Sequence, residues 1–328
     1  MINTKVSLVK GYNRYQNIAK ALRLLEEDLG PKISRAKNII IKPNFVSTSN
    51  QLAATHVDAI KATLDFLQKF TKNKILIAEN AAFASAFEGY KNFGYMKLVK
   101  KYHIELVDLA KDDFQNFSIS SAFGKRIHIG VSKTILNSDM RISIGPAKTH
   151  DEVIVTLSLK NMSMGSLNTR PLMHQGTRKM NLNLAKIAKI VPPHLSIIDG
   201  TVGMEGNGPG EGTPIKSNFV VTSANPICAD VIAARVMGFN PEDVGYLYYM
   251  GIPKNIKIVG DSIDKCQVHF KPHRSYERQL NWRTKENLPR IILSTIIANV
   301  YLRVQRMPFY NSTWFVNIKE PIKKILGY

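Results

Sequence analysis

Met140-Arg141-Ile142-Ser143-Ile144-Gly145-Pro146-Ala147-Lys148-Thr149-His150 is the stretch whose reading decides the fold. Its first five residues form a short, largely apolar run that reads as a buried strand. Gly145-Pro146 is expected to end that strand, because proline has no N–H to give a ladder and glycine loosens the backbone. Lys148, Thr149, His150, Asp151 and Glu152 then follow, a packet of ionisable and hydroxyl groups where a strand should be finishing. In open α/β sheets ligands bind outside the carboxyl ends of strands, so the chemistry is expected here. Leu159-Lys160-Asn161-Met162 brings a second Lys-Asn pair shortly afterwards.

Outward from this stretch, strand-like apolar runs alternate with helical periodicity. Val6–Val9, Asn38–Asn44, Lys74–Ala78, Ile104–Leu106, His128–Val131, Leu195–Ile198, Phe219–Thr222 and Asn255–Val259 read as strands. Asn17–Asp28, Val57–Phe70 with Thr55 as its N-cap, Gly89–Tyr102, Lys179–Ile190 and Pro226–Met237 read as helices. Such alternation predicts an α/β domain over residues 1–262, with a mainly parallel sheet covered by helices on both faces. Residues 271–328 differ in composition, with eleven Lys or Arg against three Glu and both tryptophans, Trp282 and Trp314. They read as a basic, partly helical C-terminal appendage. Its apolar run Ile291–Ala298 reaches only about half of a bilayer.

The 44% hydrophobic and 21% charged fractions exclude global disorder. A formal charge of +20 favours anionic partners: a phosphorylated ligand, nucleic acid, or an anionic membrane surface reached through 271–328. Nucleic acid is the weaker reading, since the basic residues are dispersed and no recognised nucleic-acid motif is present. Two cysteines, Cys228 and Cys266, are too few for a cysteine-held zinc or an iron–sulfur cluster, so no cluster is expected in this chain. Cys228 falls in an apolar helix and Cys266 on the polar side of a turn. The first residues lack the apolar core of a signal peptide. A cytoplasmic protein, peripheral at a membrane at most, is expected.

Lys42, Lys148 and Lys160 recur at or just past strand ends, beside Asn44, Thr149 and Asn161 respectively. Ammonium groups on one rim would hold an anion, and the neighbouring amides and hydroxyl would orient it. The stretch from Asp199 to Gly212 carries six glycines in fourteen residues and the acids Asp199, Glu205 and Glu211. Gly206 and Gly208 let its backbone approach a ligand closely, and the acids suit a divalent cation or acid–base work. It lacks the Gly-Lys-Ser/Thr ending of a P-loop and the ordered glycines of a dinucleotide fold. His150 and His174 are the histidines nearest these loops. With Asp199, Glu205 or Asp230 they suit a general base or a metal ligand, although no metal-ligand spacing supports the metal.

Ile-Lys-Pro-Asn at 41–44, Ala-Lys-Thr-His at 147–150, Leu-Lys-Asn-Met at 159–162, Ile-Asp-Gly-Thr-Val-Gly-Met-Glu-Gly-Asn-Gly-Pro at 198–209 and Ala-Asp-Val at 229–231 carry a resemblance. Through them the chain resembles the family catalogued as domain of unknown function 362, over roughly residues 1–262. The resemblance implies one α/β domain with Lys42, Asn44, Lys148, Thr149, His150, Lys160, Asn161, Asp199, Glu205 and Asp230 at signature positions. It implies no known reaction. Many relatives add a ferredoxin-like segment with eight cysteines, which hints at redox work; this chain lacks it. The expected function is an enzyme acting on an anionic small molecule. Lys148, His150, Asp199 and Glu205 are the catalytic candidates. Lys42, Asn44, Thr149, Lys160, Asn161, Gly206, Gly208 and Asp230 are the binding candidates. The cofactor is unknown, with a divalent metal left open. The alternative is a non-catalytic ligand-binding or scaffold protein attached to an anionic surface by its basic tail.

Overall fold

Three consecutive isoleucines, Ile39, Ile40 and Ile41, show how the sheet is built. Side chains alternate between the faces of a strand, so Ile39 and Ile41 enter one apolar layer and Ile40 the other. Each such side chain contributes about 1.5–3 kcal/mol on burial. The computed structural model describes residues 4–82 and 84–284. Its strands are Lys5–Lys10 (β1), Ile39–Lys42 (β2), Ile75–Glu79 (β3), Ile104–Asp108 (β4), Phe114–Ser120 (β5), Arg126–Ser132 (β6), Met140–His150 (β7), Ile154–Thr156 (β8), Leu195–Glu205 (β9), Thr213–Ile215 (β10), Phe219–Ser223 (β11) and Lys257–Gly260 (β12).

The main sheet runs β12-β1-β11-β9-β7-β2-β3-β4, with β10 added to β9 and β8 to β7; β5 and β6 form a separate hairpin. The block β9-β7-β2-β3-β4 is parallel throughout. β11 is antiparallel to both of its neighbours, and β12 is parallel to β1. The chain is therefore an α/β protein with a mostly parallel central sheet. One face is covered by Arg14–Arg23 (α1), Glu26–Arg35 (α2), Val57–Leu67 (α3), Ala86–Asn92 (α4) and Met96–Val99 (α5). The short Lys133–Leu136 (α6) follows the β5–β6 hairpin. Ser158–Gly165 (α7), Thr177–Ile190 (α8), Pro226–Val236 (α9) and Gly245–Met250 (α10) cover the other face, followed by Ile263–Cys266 (α11) and Tyr276–Leu280 (α12).

Several local expectations are corrected. Gly145-Pro146 does not end the strand, and β7 runs on to His150. β2 stops opposite Ser143 and β8 reaches back only to Lys148, opposite Thr156, so Pro146 lies between the two ladders. On the β9 side the register shifts between Pro146 and Lys148, which absorbs the residue that cannot donate. The expected helix over 89–102 is two helices, broken where Gly94 takes φ +80°. α3 is capped by His56, whose Nδ1 accepts from Asp58 N, while Thr55 Oγ1 accepts from Asn44 N and donates to Ile144 O. Cys266 is buried, not on a polar turn, because α11 packs against α9 and β1.

Of the expected appendage, residues 271–284 pack on the main body. Trp282 is buried and its Nε1 donates to Asp243 O at 2.7 Å. Residues 285–328, which carry the rest of that reading, lie outside the described residues. Among the described residues no helix is long and apolar enough to cross a membrane.

Candidate functional site

The carboxyl ends of β2, β3 and β7 meet the start of α7. At the end of β2, Lys42 points into the face covered by α7, where Gly165 leaves room for it. A Cβ on Gly165 would fall 1.8 Å from Lys42 Cε. Lys42 Nζ donates to Glu79 Oε2 (2.9 Å), Asn161 Oδ1 (3.0 Å) and Pro43 O (2.9 Å). An ammonium has three N–H groups and all three have acceptors. The Asn161 carboxamide joins the strand ends: its Nδ2 lies within 3.3 Å of Lys42 O and Ile144 O and 3.0 Å from Ser143 Oγ. Asn44 Nδ2 donates to Asn161 Oδ1 at 3.1 Å. Gly165→Ala is expected to displace Lys42 and lower stability by about 1–3 kcal/mol, the range for overpacking. Thermal denaturation checks it, and an unchanged Tm would show that the Lys42 stem moves freely.

Lys148 lies at the far end of the same hydrogen-bonded chain. Its Nζ donates to Asn44 Oδ1 at 2.6 Å and Ala53 O at 3.2 Å, and the residue is fully enclosed. Burial, with the nearby Lys160 and Lys42 charges, lowers its ammonium to about 7. Two acceptors match the two N–H groups of a neutral amine, which leaves the lone pair uncommitted. Lys42 has three acceptors, one of them the Glu79 carboxylate, whose charge opposes the lowering by burial. The partners of the two buried lysines thus favour the ammonium more strongly at Lys42 than at Lys148.

Just beyond Lys148, the β7–β8 hairpin turns through His150, Asp151 and Glu152. Burial and the Lys160 charge lower His150 to about 4, so its ring is neutral at physiological pH. Its Nδ1 lies 3.0 Å from Glu152 N and 2.9 Å from Asp151 Oδ1. Lys160, one turn into α7, is 8% exposed, and its ammonium has no hydrogen-bond acceptor among the described residues. Burial lowers it to about 8 against the opposing pull of Asp151 and Glu152. Arg170, which also repels Lys160, is anchored to Asn80 O (3.0 Å) and Ala81 O (2.6 Å).

His174 Nδ1 stands 2.5 Å from Glu152 Oε2. Burial opposes both charges, yet the attraction and hydrogen bond between the two prevail. Glu152 is held below its usual 4.5 and His174 above its usual 6.5. The signs set the pH window. Stability from Glu152 is present above its unfolded pKa and fades as pH falls through the folded one. Stability from His174 is present below its unfolded pKa and fades as pH rises through the folded one. Glu152→Gln is therefore expected to lower Tm most at about pH 5–6 and least at the alkaline end. Parallel Tm–pH curves for variant and wild type would show that the pair does not ionise this way.

The remaining sequence candidates divide. Asp199 stands on β9 opposite Pro146 of β7, and its Oδ2 accepts from Arg14 Nε at 2.5 Å. Thr149 Oγ1 donates to Gly206 O at 2.9 Å, and a Cβ on Gly208 would fall 2.4 Å from Thr149 O. Both glycines are thus packed against β7. Glu205 accepts from Lys271 N at 2.9 Å and so holds the C-terminal segment. Asp230 is buried on α9 and accepts from Ser158 N (2.9 Å) and Leu159 N (3.1 Å), capping α7 from outside, and from Tyr246 OH at 3.2 Å. Burial raises its carboxyl to about 7 although these three donors favour the charged form. Lys42, Asn44, Lys148 and Asn161 are thus brought into one chain, with His150 and Lys160 beside it. Asp151 and Glu152, read in the sequence only as part of the packet after Lys148, join the site, and Glu79 and Gln279 join it without having been named as candidates. Among the described residues no group of three or more His, Cys, Asp or Glu is placed to hold a metal ion. A cleft of about 600 Å³, lined by Lys32, Arg35, Lys37, Asp139 and His194, lies at the opposite, amino-terminal end of β2 and β7 and includes none of these groups.

The family model described as "Domain of unknown function (DUF362)" matches residues 39–235, more than half of the chain. The chain belongs to the DUF362 family. The matched span runs from β2 to the end of α9 and so contains Lys42, Glu79, Lys148, His150, Lys160 and Asp230, but stops before the segment that packs on His150. The Thylakoid-associated protein sll1697 of Synechocystis sp. is 23% identical over 314 residues, covering 90% of this chain and 93% of that protein. Among solved structures, the lactate racemase apoprotein from Thermoanaerobacterium thermosaccharolyticum aligns with a TM-score of 0.48 and 14% identity. The alignment covers 70% of this chain and 56% of that one, so the chain spans a little over half the length of that structure.

Proposed function

We propose that this DUF362 protein is an acid–base enzyme that moves a proton on a small anionic molecule, with Lys148 as the base. The observation that carries the reading is the fully enclosed Lys148 amine with two acceptors and a pKa of about 7. A base titrating near the working pH offers both the right protonation state and sufficient driving force. Buried lysines tuned in this way are used as bases because desolvation disfavours the ammonium.

Lys160 supplies the anchor. Its ammonium, without an acceptor of its own among the described residues, suits the carboxylate or phosphate of a ligand. In the reaction the Lys148 amine accepts one proton and becomes an ammonium. The substrate keeps the electron pair, and the same nitrogen returns a proton to it. The neutral His150 ring lies beside the cluster as a second carrier. The segment 43–55 covers Lys148, supplying its acceptors Asn44 Oδ1 and Ala53 O, and touches the glycine-rich turn where Asn50 Nδ2 meets Gly210 O at 3.5 Å.

Solvent-deuterium exchange tests the proposal. Wild-type protein in D₂O is incubated with a panel of small carboxylates and phosphate esters, and incorporation is read by mass spectrometry. At least one compound is expected to gain deuterium at a carbon-bound position at a rate that depends on Lys148. Incorporation identical with and without the Lys148 amine would overturn it.

The second reading, a protein peripheral to an anionic membrane, draws on the thylakoid association in the name of the Synechocystis relative and on the formal charge of +20. Salt-sensitive sedimentation with phosphatidylglycerol vesicles, but not with phosphatidylcholine vesicles, is its measurement.

A further inference from the structure

After β12 the chain turns back and lies along the β7–β8 hairpin, outside the span shared with the family. Gly206 N donates to Lys271 O at 2.7 Å, which starts the segment beside the glycine-rich turn. Ser275 Oγ and Arg278 Nη2 then both donate to Asp151 O, at 2.8 and 3.0 Å. The closing contact is made by Gln279, 1% exposed on α12. Its Nε2 donates to His150 O at 2.8 Å and to Ser275 Oγ at 2.9 Å. Its Oε1 accepts from Ile154 N in a very short contact.

His150 and Ile154 face each other across the hairpin. In an antiparallel ladder, opposed residues alternate between pairs that exchange N–H···O bonds and pairs that do not. Here the Gln279 carboxamide bridges the pair, giving its N–H to His150 O and its C=O to Ile154 N. Ile154 also holds φ +66°, the left-handed region that a β-branched residue rarely occupies. A conformation of that kind persists where its surroundings over-determine it, and the hydrogen bond that Ile154 N donates to Gln279 Oε1 is such a constraint.

We propose that Gln279 is a positioning residue, whose carboxamide, bridging His150 O and Ile154 N, holds the His150-Asp151-Glu152 turn toward Lys160. The proposal rests on the reading of Lys148, His150 and Lys160 as the reacting cluster. Within the β7–β8 turn Gln279 bonds only to backbone, at His150 O and Ile154 N. Its effect passes through the turn, where the charged groups facing the His150 ring are Asp151, Glu152 and Lys160.

The test is a ¹⁵N NMR titration of the histidine rings in the full-length protein. His194 is the internal control, because it too is depressed to about 4 by burial and the Arg141 charge, at the opposite edge of β7. In Gln279→Met the turn is expected to relax and solvate, so that the His150 midpoint rises by at least about one unit, tenfold in proton affinity, while His194 stays. A folded variant in which His150 does not move overturns the proposal. So does one in which both rings move together, since that is general loosening. Should Gln279→Met fail to fold, Ser275→Ala removes one support of the same carboxamide, and the same selective shift, present or absent, decides. The readout needs no substrate. A wild type without deuterium exchange would therefore remove the proposed reaction and leave the positioning role to be judged by the rings.

Discussion

Lys148→Met is expected to fold and to lose deuterium exchange by about 10²–10⁴-fold, the usual contribution of a positioned acid or base. The stability side follows from two opposed terms. Losing the amine leaves Asn44 Oδ1 and Ala53 O without that donor, at about 1–3 kcal/mol for each buried acceptor. Against this, a lysine lowered from 10.5 to about 7 is disfavoured in the folded state near neutral pH by on the order of 4 kcal/mol, and methionine removes that disadvantage. The terms are similar in size, so a Tm within a few degrees of wild type is expected. The wild type should also gain stability as pH rises from about 7 toward 10.5, because the unfolded lysine binds the proton that the folded one releases. The variant should lose that slope. Circular dichroism melts at several pH values, run beside the exchange assay, check both. A variant that exchanges at the wild-type rate removes Lys148 from the reaction.

The second large effect concerns Lys42 and Glu79, 1% and 2% exposed and 2.9 Å apart. Burial lowers Lys42 and raises Glu79 despite their mutual attraction. Both shifts run against the charged forms, so the pair is retained for its geometry: it fixes Asn161, and through Asn161 the Asn44 amide that meets Lys148. Lys42→Met strands a buried carboxylate and is expected to cost about 3–5 kcal/mol. That corresponds to a Tm drop on the order of 10 °C at roughly 2–4 °C per kcal/mol. The double variant Lys42→Met/Glu79→Leu should recover most of this loss, since replacing a whole buried pair by apolar groups is often neutral. It should nonetheless exchange protons poorly, because Asn44 loses its fixed orientation. A double variant no more stable than the single one would show that the site needs charge itself.

The alternation of β-branched runs and amphipathic helices was legible because periods of two and 3.6 are local properties of the chain. The strand-end rule that picked out Lys42 and Lys148 applies equally to Glu79, which ends Ile75–Glu79 just as Lys42 ends Ile39–Lys42. Asp230 carried a different signal, an acid inside an apolar helix, which marks a buried partner; the partner is the start of α7. Pro146 within β7 was not legible, because the gap between β2 and β8 depends on where other strands stop. Nor was Gln279, 129 residues from the carbonyl it binds, in a segment whose composition spoke only of charge.

The order of the sheet has a practical consequence for any attempt to cut the protein down. The span common to the family, residues 39–235, excludes β1 and β12, yet β1 is the strand that pairs with β11 on the side away from β9. A fragment trimmed to that span would present Phe219-Val-Val-Thr-Ser223 as an unprotected edge of β-branched and aromatic residues, the kind of template on which chains stack into aggregates. Residues 5–10 act as a selvedge that stops the weave from running, and an expression fragment that keeps the rim but drops them would fail in the test tube for reasons unrelated to the rim.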